Sequence, residues 1–235
     1  MVGDPSLEVT QQRIAVLSAS GVDLIELGVP FSDPIADGPT IAAAASRALA
    51  NGVDLPDVLD LVRANRAMPI AIFSYYNPLL QYGLDAFARD AANAGARAII
   101  IPDLALENTV AASRAFGLNG MMMPSFVAPT TTPERLAQIA TRATGFIYVV
   151  SRVGVTGEGR HLELDRLAQR VIELRRLTPL PLAVGFGITS PEDVSAIARF
   201  ADAVVVGSAL IEAYARSGGD CALELIRLTK ALTPA

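Results

Sequence analysis

Residues 69–101 read PIAIFSYYNPLLQYGLDAFARDAANAGARAIII, and the order of patterns within them decides the fold. Pro69–Tyr75 is a short, apolar, β-rich run. Leu84–Ala94 follows with helical spacing, and Gly95 falls where a helix should stop. Ala98–Ile101 is then a second apolar run. Both runs are continuously apolar rather than alternating, which predicts strands of a parallel sheet covered on both faces.

Working outward, the same order recurs along the chain. The further strand expectations are Asp23–Leu27, Gly120–Met123, Phe146–Val150, Pro181–Val184 and Ala203–Val206. Helices are expected over Leu7–Ser20, Thr40–Ala50, Pro133–Thr141, Leu162–Arg176 and Pro191–Arg199, among others. Thr132-Pro133-Glu134 and Ser190-Pro191-Glu192 each read as an N-cap followed by Pro at the first helical position. Gly21 and Gly52 punctuate helix ends in the same way as Gly95. Strict β-then-α order favours either a doubly wound sheet or a β/α barrel. No Pro/Ser-rich linker divides the chain, so residues 1–235 are expected to form one domain. Seven strands are visible, one fewer than a barrel requires.

Composition narrows the function. Hydrophobic residues make up 51% and charged residues 18%, enough apolar surface for a large core. A net charge of −5 argues against binding nucleic acid, whose phosphates are held by clustered Lys and Arg. There is neither an apolar run long enough to span a membrane nor a signal-peptide pattern at MVGDPSLE. The chain is therefore expected to be soluble and cytoplasmic. Cys221 and His161 are each the sole residue of their kind. That argues against an internal disulfide, a Cys-based cluster or a multi-histidine metal site, so no metal is expected. His161, in a polar stretch, reads as an ordinary loop or helix-edge residue, leaving proton transfer to carboxylates, Tyr or Lys.

If the chain is a barrel, chemistry should emerge where each strand ends. Glu26 sits inside the run Leu24-Ile25-Glu26-Leu27, where an isolated carboxylate is costly unless paired or neutral. It is either a buried ion-pair partner or a carboxyl aimed at a pocket whose walls raise its pKa. Asp33 and Asp37 follow on a loop stiffened by Pro30, Pro34, Gly38 and Pro39. Alone, either Asp would read as a solvated or capping residue. Their company with Glu26 at one strand end marks an acid/base site. Three later strand ends carry glycines: Gly157 in Val155-Thr156-Gly157, Gly185 and Gly187 around Phe186, and Gly207 beside Ser208. Backbone N–H groups in such turns, leading into helix N-termini, form anion sites without basic side chains. A phosphate-bearing substrate is expected.

The segment Asp23-Leu-Ile-Glu-Leu-Gly-Val-Pro-Phe-Ser-Asp-Pro-Ile-Ala-Asp-Gly-Pro-Thr-Ile41 resembles the signature of the tryptophan synthase alpha subunit family. Gly3-Asp4-Pro5-Ser6, Tyr75-Tyr76-Asn77-Pro78, Pro102-Asp103-Leu104, Ala128-Pro129-Thr130-Thr131, the stretch from Ser151 to Gly157, Gly185-Phe186-Gly187-Ile188 and Gly207-Ser208 fit that family in the same order. The resemblance covers essentially the whole chain. It implies a (β/α)8 TIM barrel and a retro-aldol cleavage of indole-3-glycerol phosphate to indole and glyceraldehyde 3-phosphate. On that resemblance Glu26 is the acid that protonates the indole ring, and Asp37 holds the indole N–H. Tyr148 matches a Tyr that positions the Glu, although a core aromatic would read the same way. Tyr75 joins the substrate-binding set. Thr156 belongs to a loop that closes over the substrate. Phosphate contacts map to Gly157, Gly187, Gly207 and Ser208.

The resemblance also implies a partner, the beta subunit, in an alpha2-beta2 heterotetramer. Pyridoxal phosphate belongs to that partner, and no cofactor is expected in this chain. Asp33, in the Pro30–Pro39 loop, and Asp103, in the Pro102–Asn108 loop, are the implied partner contacts. Ala105 stands where the family typically has Pro, which is expected to free the backbone there. The family also usually begins with a helix and a first strand ahead of Gly3-Asp4-Pro5. With Met1-Val2 in that place, the first barrel strand is expected to be missing, and with it a residue that packs on the indole ring. An upstream natural start is the favoured explanation, and a version longer by one helix and one strand is expected to be more stable and more active. The alternative reading is a catalytically weak barrel that chiefly binds and activates the beta subunit.

Overall fold

The computed structural model of the protein describes residues 1–151 and 163–216. In chain order these form α1 (Leu7–Ala19), β1 (Ile25–Gly28), α2 (Pro39–Ala50), α3 (Leu55–Ala64), β2 (Ile70–Phe73), α4 (Tyr76–Tyr82), α5 (Leu84–Ala94) and β3 (Ala98–Ile100). After a 3₁₀ turn at Leu106–Asn108 come α6 (Thr109–Leu118), β4 (Ser125–Val127), α7 (Pro133–Arg142), β5 (Ile147–Val150), α8 (Leu164–Arg175), β6 (Leu182–Gly185), α9 (Pro191–Ile197), β7 (Ala203–Val204) and α10 (Ser208–Arg216).

All pairings are parallel and between consecutive strands, as β1-β2-β3 and β4-β5-β6-β7. Met122 joins the two sets: its N–H donates to Arg97 O at 3.0 Å, and its carbonyl accepts from Ile99 N–H at 2.9 Å. The result is a β/α barrel with short strands, seven of them among the described residues. Beside β1, Val2 N–H donates to Gly28 O at 3.0 Å.

The continuous apolar runs split cleanly between two faces. Ile25, Leu27, Ile70, Ile72 and Ile99 pack outward with the helices in one core cluster. Ile147, Val149, Leu182 and Val184 do the same in a second. The alternate positions, including Ala71, Phe73, Ala98 and Ile100, form a separate cluster with Phe126 and Phe146. This is the period-two alternation of a strand whose other face points into a barrel. It places Glu26, between Ile25 and Leu27, on the interior, where its register partner is the small Ala71.

One strand differs from expectation. Gly120–Met123 supplies only the bridge at Met122, and the ladder resumes at β4. Pro124, which lacks an N–H to donate, separates the two. The predicted helix starts hold: Thr132 Oγ1 accepts from Arg135 N–H, and Ser190 forms a capping box with Asp193. Helices α3, α4, α6 and α10 add to those named from the sequence. Ala105 keeps φ −62° and ψ 144°, so the Ala leaves the backbone where Pro would hold it rather than redirecting it.

Asp4, only 4% exposed, is held by Arg47 of α2 through Nε at 2.7 Å and Nη2 at 2.9 Å. Removing Arg47 would strand a buried carboxylate. Arg47 itself is half exposed, so water recovers part of the loss. Arg47→Met is expected to cost about 2 kcal/mol, below the 3–5 kcal/mol of a fully buried pair, and to lower Tm by roughly 5 °C. Thermal unfolding measures this directly.

Candidate active site

The interior face of β1 presents Glu26 among apolar walls. The residue as a whole is half-buried, but Oε1 is fully covered and has no hydrogen-bond partner. Burial pushes its carboxyl from the ordinary 4.5 up to about 7. No ion pair rescues it among the described residues. Of the alternatives left open by the sequence, the ion-pair partner is thereby removed among the described residues.

Tyr148 enters from β5 and is buried, 4% exposed. Its hydroxyl pKa is raised well above the usual value, first by burial and then by the charge of Glu26. A Cβ added to Gly185 would lie 2.6 Å from the Tyr148 ring, so glycine there is what lets the ring lie across β6. Around Tyr148 stand Phe126 at 4.9 Å, Phe186 at 5.5 Å and Phe146 at 6.2 Å between ring centroids. Phe73 meets Phe126 edge-on at 6.5 Å. Together they make an aromatic cluster inside the barrel.

Phe186 and Phe73 were not singled out from the sequence as site residues. The signal for Phe186 lies in its backbone: φ is +74°, followed by Gly187 at +73°. A bulky residue at positive φ is a genuine outlier and persists only where its surroundings enforce it. Here Ser151 Oγ donates to Phe186 O, and Ser151 N–H donates to Gly185 O at 3.0 Å.

Asp37 lies on the loop between β1 and α2. Burial raises its pKa, and a hydrogen bond from the Tyr75 hydroxyl pulls it back down. That hydroxyl also accepts the Ala36 N–H at 2.9 Å, so it is held from both sides. Burial, and then the neighbouring carboxylates, push the Tyr75 phenol above its usual pKa despite the Ala36 hydrogen bond. The Tyr75 ring packs on Phe31 at 5.3 Å. The structure thus pairs Asp37 with Tyr75, which the sequence left as separate residues.

Of the expected anion-binding positions, Gly187 is buried beyond β6, Gly207 is exposed beyond β7, and Ser208 is buried at the first position of α10. Thr156 and Gly157 lie outside the described residues. Asp33 and Asp103 are exposed. The Asp103 carboxylate also accepts the Tyr76 N–H at 2.9 Å and so caps α4 from another loop. No cluster of His, Cys, Asp or Glu able to hold a metal occurs among the described residues.

A parallel β/α barrel with a carboxyl of raised pKa inside, and a second carboxyl on the loop beyond the same strand, is an arrangement that can carry out acid/base chemistry. A family model described as the tryptophan synthase alpha chain matches residues 1–232. The tryptophan synthase alpha chain of Citrifermentans bemidjiense is 46% identical over 225 residues, covering 94% of this chain and 84% of that one. That of a Cyanothece species is 43% identical, covering 99% and 90%. Among solved structures, Mycobacterium tuberculosis tryptophan synthase superposes with a TM-score of 0.91 at 37% identity, over 98% of this chain and 88% of that one. The alpha subunit from Legionella pneumophila gives 0.89 at 37% identity, with the same coverage. The chain belongs to the tryptophan synthase alpha chain family. Its fold is accordingly the (β/α)8 barrel, and its activity is that of a carbon–carbon lyase in tryptophan biosynthesis.

Proposed function

We propose that Glu26 and Asp37 are the two catalytic carboxylates of this lyase, acting on indole-3-glycerol phosphate. The observation that carries the reading is Glu26: an interior carboxyl with a pKa of about 7, without an ion-pair partner among the described residues, and close to Tyr148 of the aromatic cluster. To leave as indole, the ring must be protonated at the carbon that bears the glycerol chain. A carboxyl that stays protonated near neutrality can do this. Its anion then takes the proton of the glycerol hydroxyl as the carbon–carbon bond breaks, which returns Glu26 to the acid form. Asp37, kept anionic with the help of Tyr75, accepts the indole N–H and stabilises the positive charge that develops on the ring. Tyr148 packs the apolar wall that holds Glu26. Gly187, Gly207 and Ser208, together with Gly157 and Thr156, bind the phosphate end.

The chain needs no cofactor of its own on this reading. Its partner is the beta subunit, which carries pyridoxal phosphate in an alpha2-beta2 assembly. The Pro30–Pro39 and Pro102–Asn108 loops form the contact. Ile35 supports this, since it leaves 75% of a large aliphatic side chain exposed beside Asp33. No helix among the described residues is long and apolar enough to cross a membrane.

Purified chain, with and without beta subunit, is expected to release indole from indole-3-glycerol phosphate, faster with the partner. No release under either condition would overturn the reading. Gly185→Ala provides a second check. Its methyl would sit 2.6 Å from the Tyr148 ring and displace it, so kcat/KM is expected to fall about tenfold with the far-UV CD spectrum retained.

A further inference from the structure

Helix α2 starts two residues after Asp37 and lacks a side-chain cap of its own, because its N-cap is Gly38. The first turn of a helix leaves N–H groups without intrahelical partners and carries a partial positive charge. In this protein a carboxylate from a distant helix stands at that turn. Thr40 Oγ1 donates to Glu212 Oε1 of α10 at 3.1 Å, across 172 positions of sequence. The two helices pack against each other. Two residues on, Tyr214 of α10 is covered by the Arg13 guanidinium of α1, 3.8 Å from its ring centroid. Arg13 in turn donates to Asp4 O, and the Asp4 carboxylate is held by Arg47 of α2. Helix α10 is therefore tied at its second turn to α1 and α2, while its first residue, Ser208, stands at the phosphate end of the site.

We infer that Glu212 and Thr40 form a latch through which occupancy of the phosphate end restrains the Asp37 loop. Each is a positioning residue rather than a group that touches substrate. An anion at the start of α10 fixes that helix. The fixed helix holds the Glu212 carboxylate against the first turn of α2. That turn sets where the chain leaves the Asp37 loop, at Gly38-Pro39. The two ends of the substrate, indole ring and phosphate, are then bound cooperatively, and by linkage the coupling is equal in both directions. The inference rests on the roles proposed above for Asp37 and Ser208.

The test uses ligands in place of turnover, so that it fails separately from the proposed reaction. The chain contains no Trp, so indole emission excited at the red edge of its absorption, beyond that of the Tyr residues, reports its binding. Indole affinity is measured with and without saturating glycerol 3-phosphate. In the unmodified chain the phosphate ligand is expected to tighten indole at least about fivefold, the lower end of ordinary coupling. Thr40→Val, which keeps the shape and removes the donor, is expected to bring the ratio close to one. Thr40→Ser, which restores the hydroxyl, is expected to recover it. Glu212→Ala should match Thr40→Val. If it does not fold, the two Thr40 variants decide alone. A ratio of one in the unmodified chain, or an unchanged ratio in Thr40→Val, would overturn the latch. Indole release from indole-3-glycerol phosphate by the same preparations reports separately on the proposed reaction.

Discussion

Glu26→Gln is expected to reduce turnover at least a hundredfold while making the folded protein more stable above neutral pH. The first half follows from the role: Gln keeps the shape of the carboxyl but has no proton to give to the indole ring, and positioned acids are worth about 10²–10⁴ in rate. The second half follows from linkage. Burial raises the Glu26 pKa from 4.5 to about 7, so the folded state prefers the protonated form. The stability associated with that preference is fully present below pH 4.5 and is lost as pH rises through 7. At about 1.4 kcal/mol per unit, and discounted because Glu26 is only half-buried as a whole residue, the loss is roughly 2–3 kcal/mol. Gln does not titrate. The Tm of the variant should therefore exceed that of the unmodified chain by a margin that grows from pH 5 to pH 8, reaching about 5 °C. A margin independent of pH would show that Glu26 does not titrate in this range. In the unmodified enzyme, kcat/KM should decline as pH rises through about 7, because only protonated Glu26 starts the reaction.

The contrast between lost activity and gained stability explains why Glu26 was legible in the sequence. A charged residue within Leu24-Ile25-Glu26-Leu27 breaks a local rule at a cost in stability, and such breaks concentrate at functional sites. The fold was legible for a related reason: apolar runs and helix caps repeat in a fixed order, and each is a local property. What the sequence hid is what depends on alternate strands meeting inside the barrel. Phe73, Phe126 and Phe186 are far apart in the chain, and only the strand order brings Phe126 and Phe186 against Tyr148 and Phe73 against Phe126. Tyr75 acquires its role from a loop 39 positions earlier. The fourth strand was misplaced because Met121, Met122 and Met123 are apolar enough to read as a strand, whereas Pro124 interrupts the ladder and moves it to Ser125. Ala105 shows the reverse case, a changed residue that leaves the backbone where Pro would have kept it.

Asp37→Asn is expected to lower kcat/KM about a hundredfold with the fold intact, and Tyr75→Phe to lower it in a manner that depends on pH. Asn still accepts the indole N–H, so the loss measures the missing charge opposite the cationic ring. A hydrogen bond to a charged group is worth about 1.5–3 kcal/mol, and stabilisation of the developing charge adds to it. Tyr75 acts one step back. Its hydroxyl is fixed by the Ala36 N–H and donates to the Asp37 carboxylate, which lowers a pKa that burial has raised. Phe removes the donor, so burial acts unopposed by that bond and the Asp37 pKa rises further. Because the anion is the working form, activity falls as pH drops through the Asp37 pKa, and Tyr75→Phe should move that acid limb to higher pH. At the alkaline end of the Asp37 titration both proteins carry the anion, and their kcat/KM values should converge. The descending limb set by Glu26 near pH 7 should stay where it is, because Tyr75 contributes nothing to the Glu26 shift. Parallel pH profiles for the two proteins, displaced by a constant factor, would remove Tyr75 from the control of Asp37 and reduce it to a packing residue against Phe31.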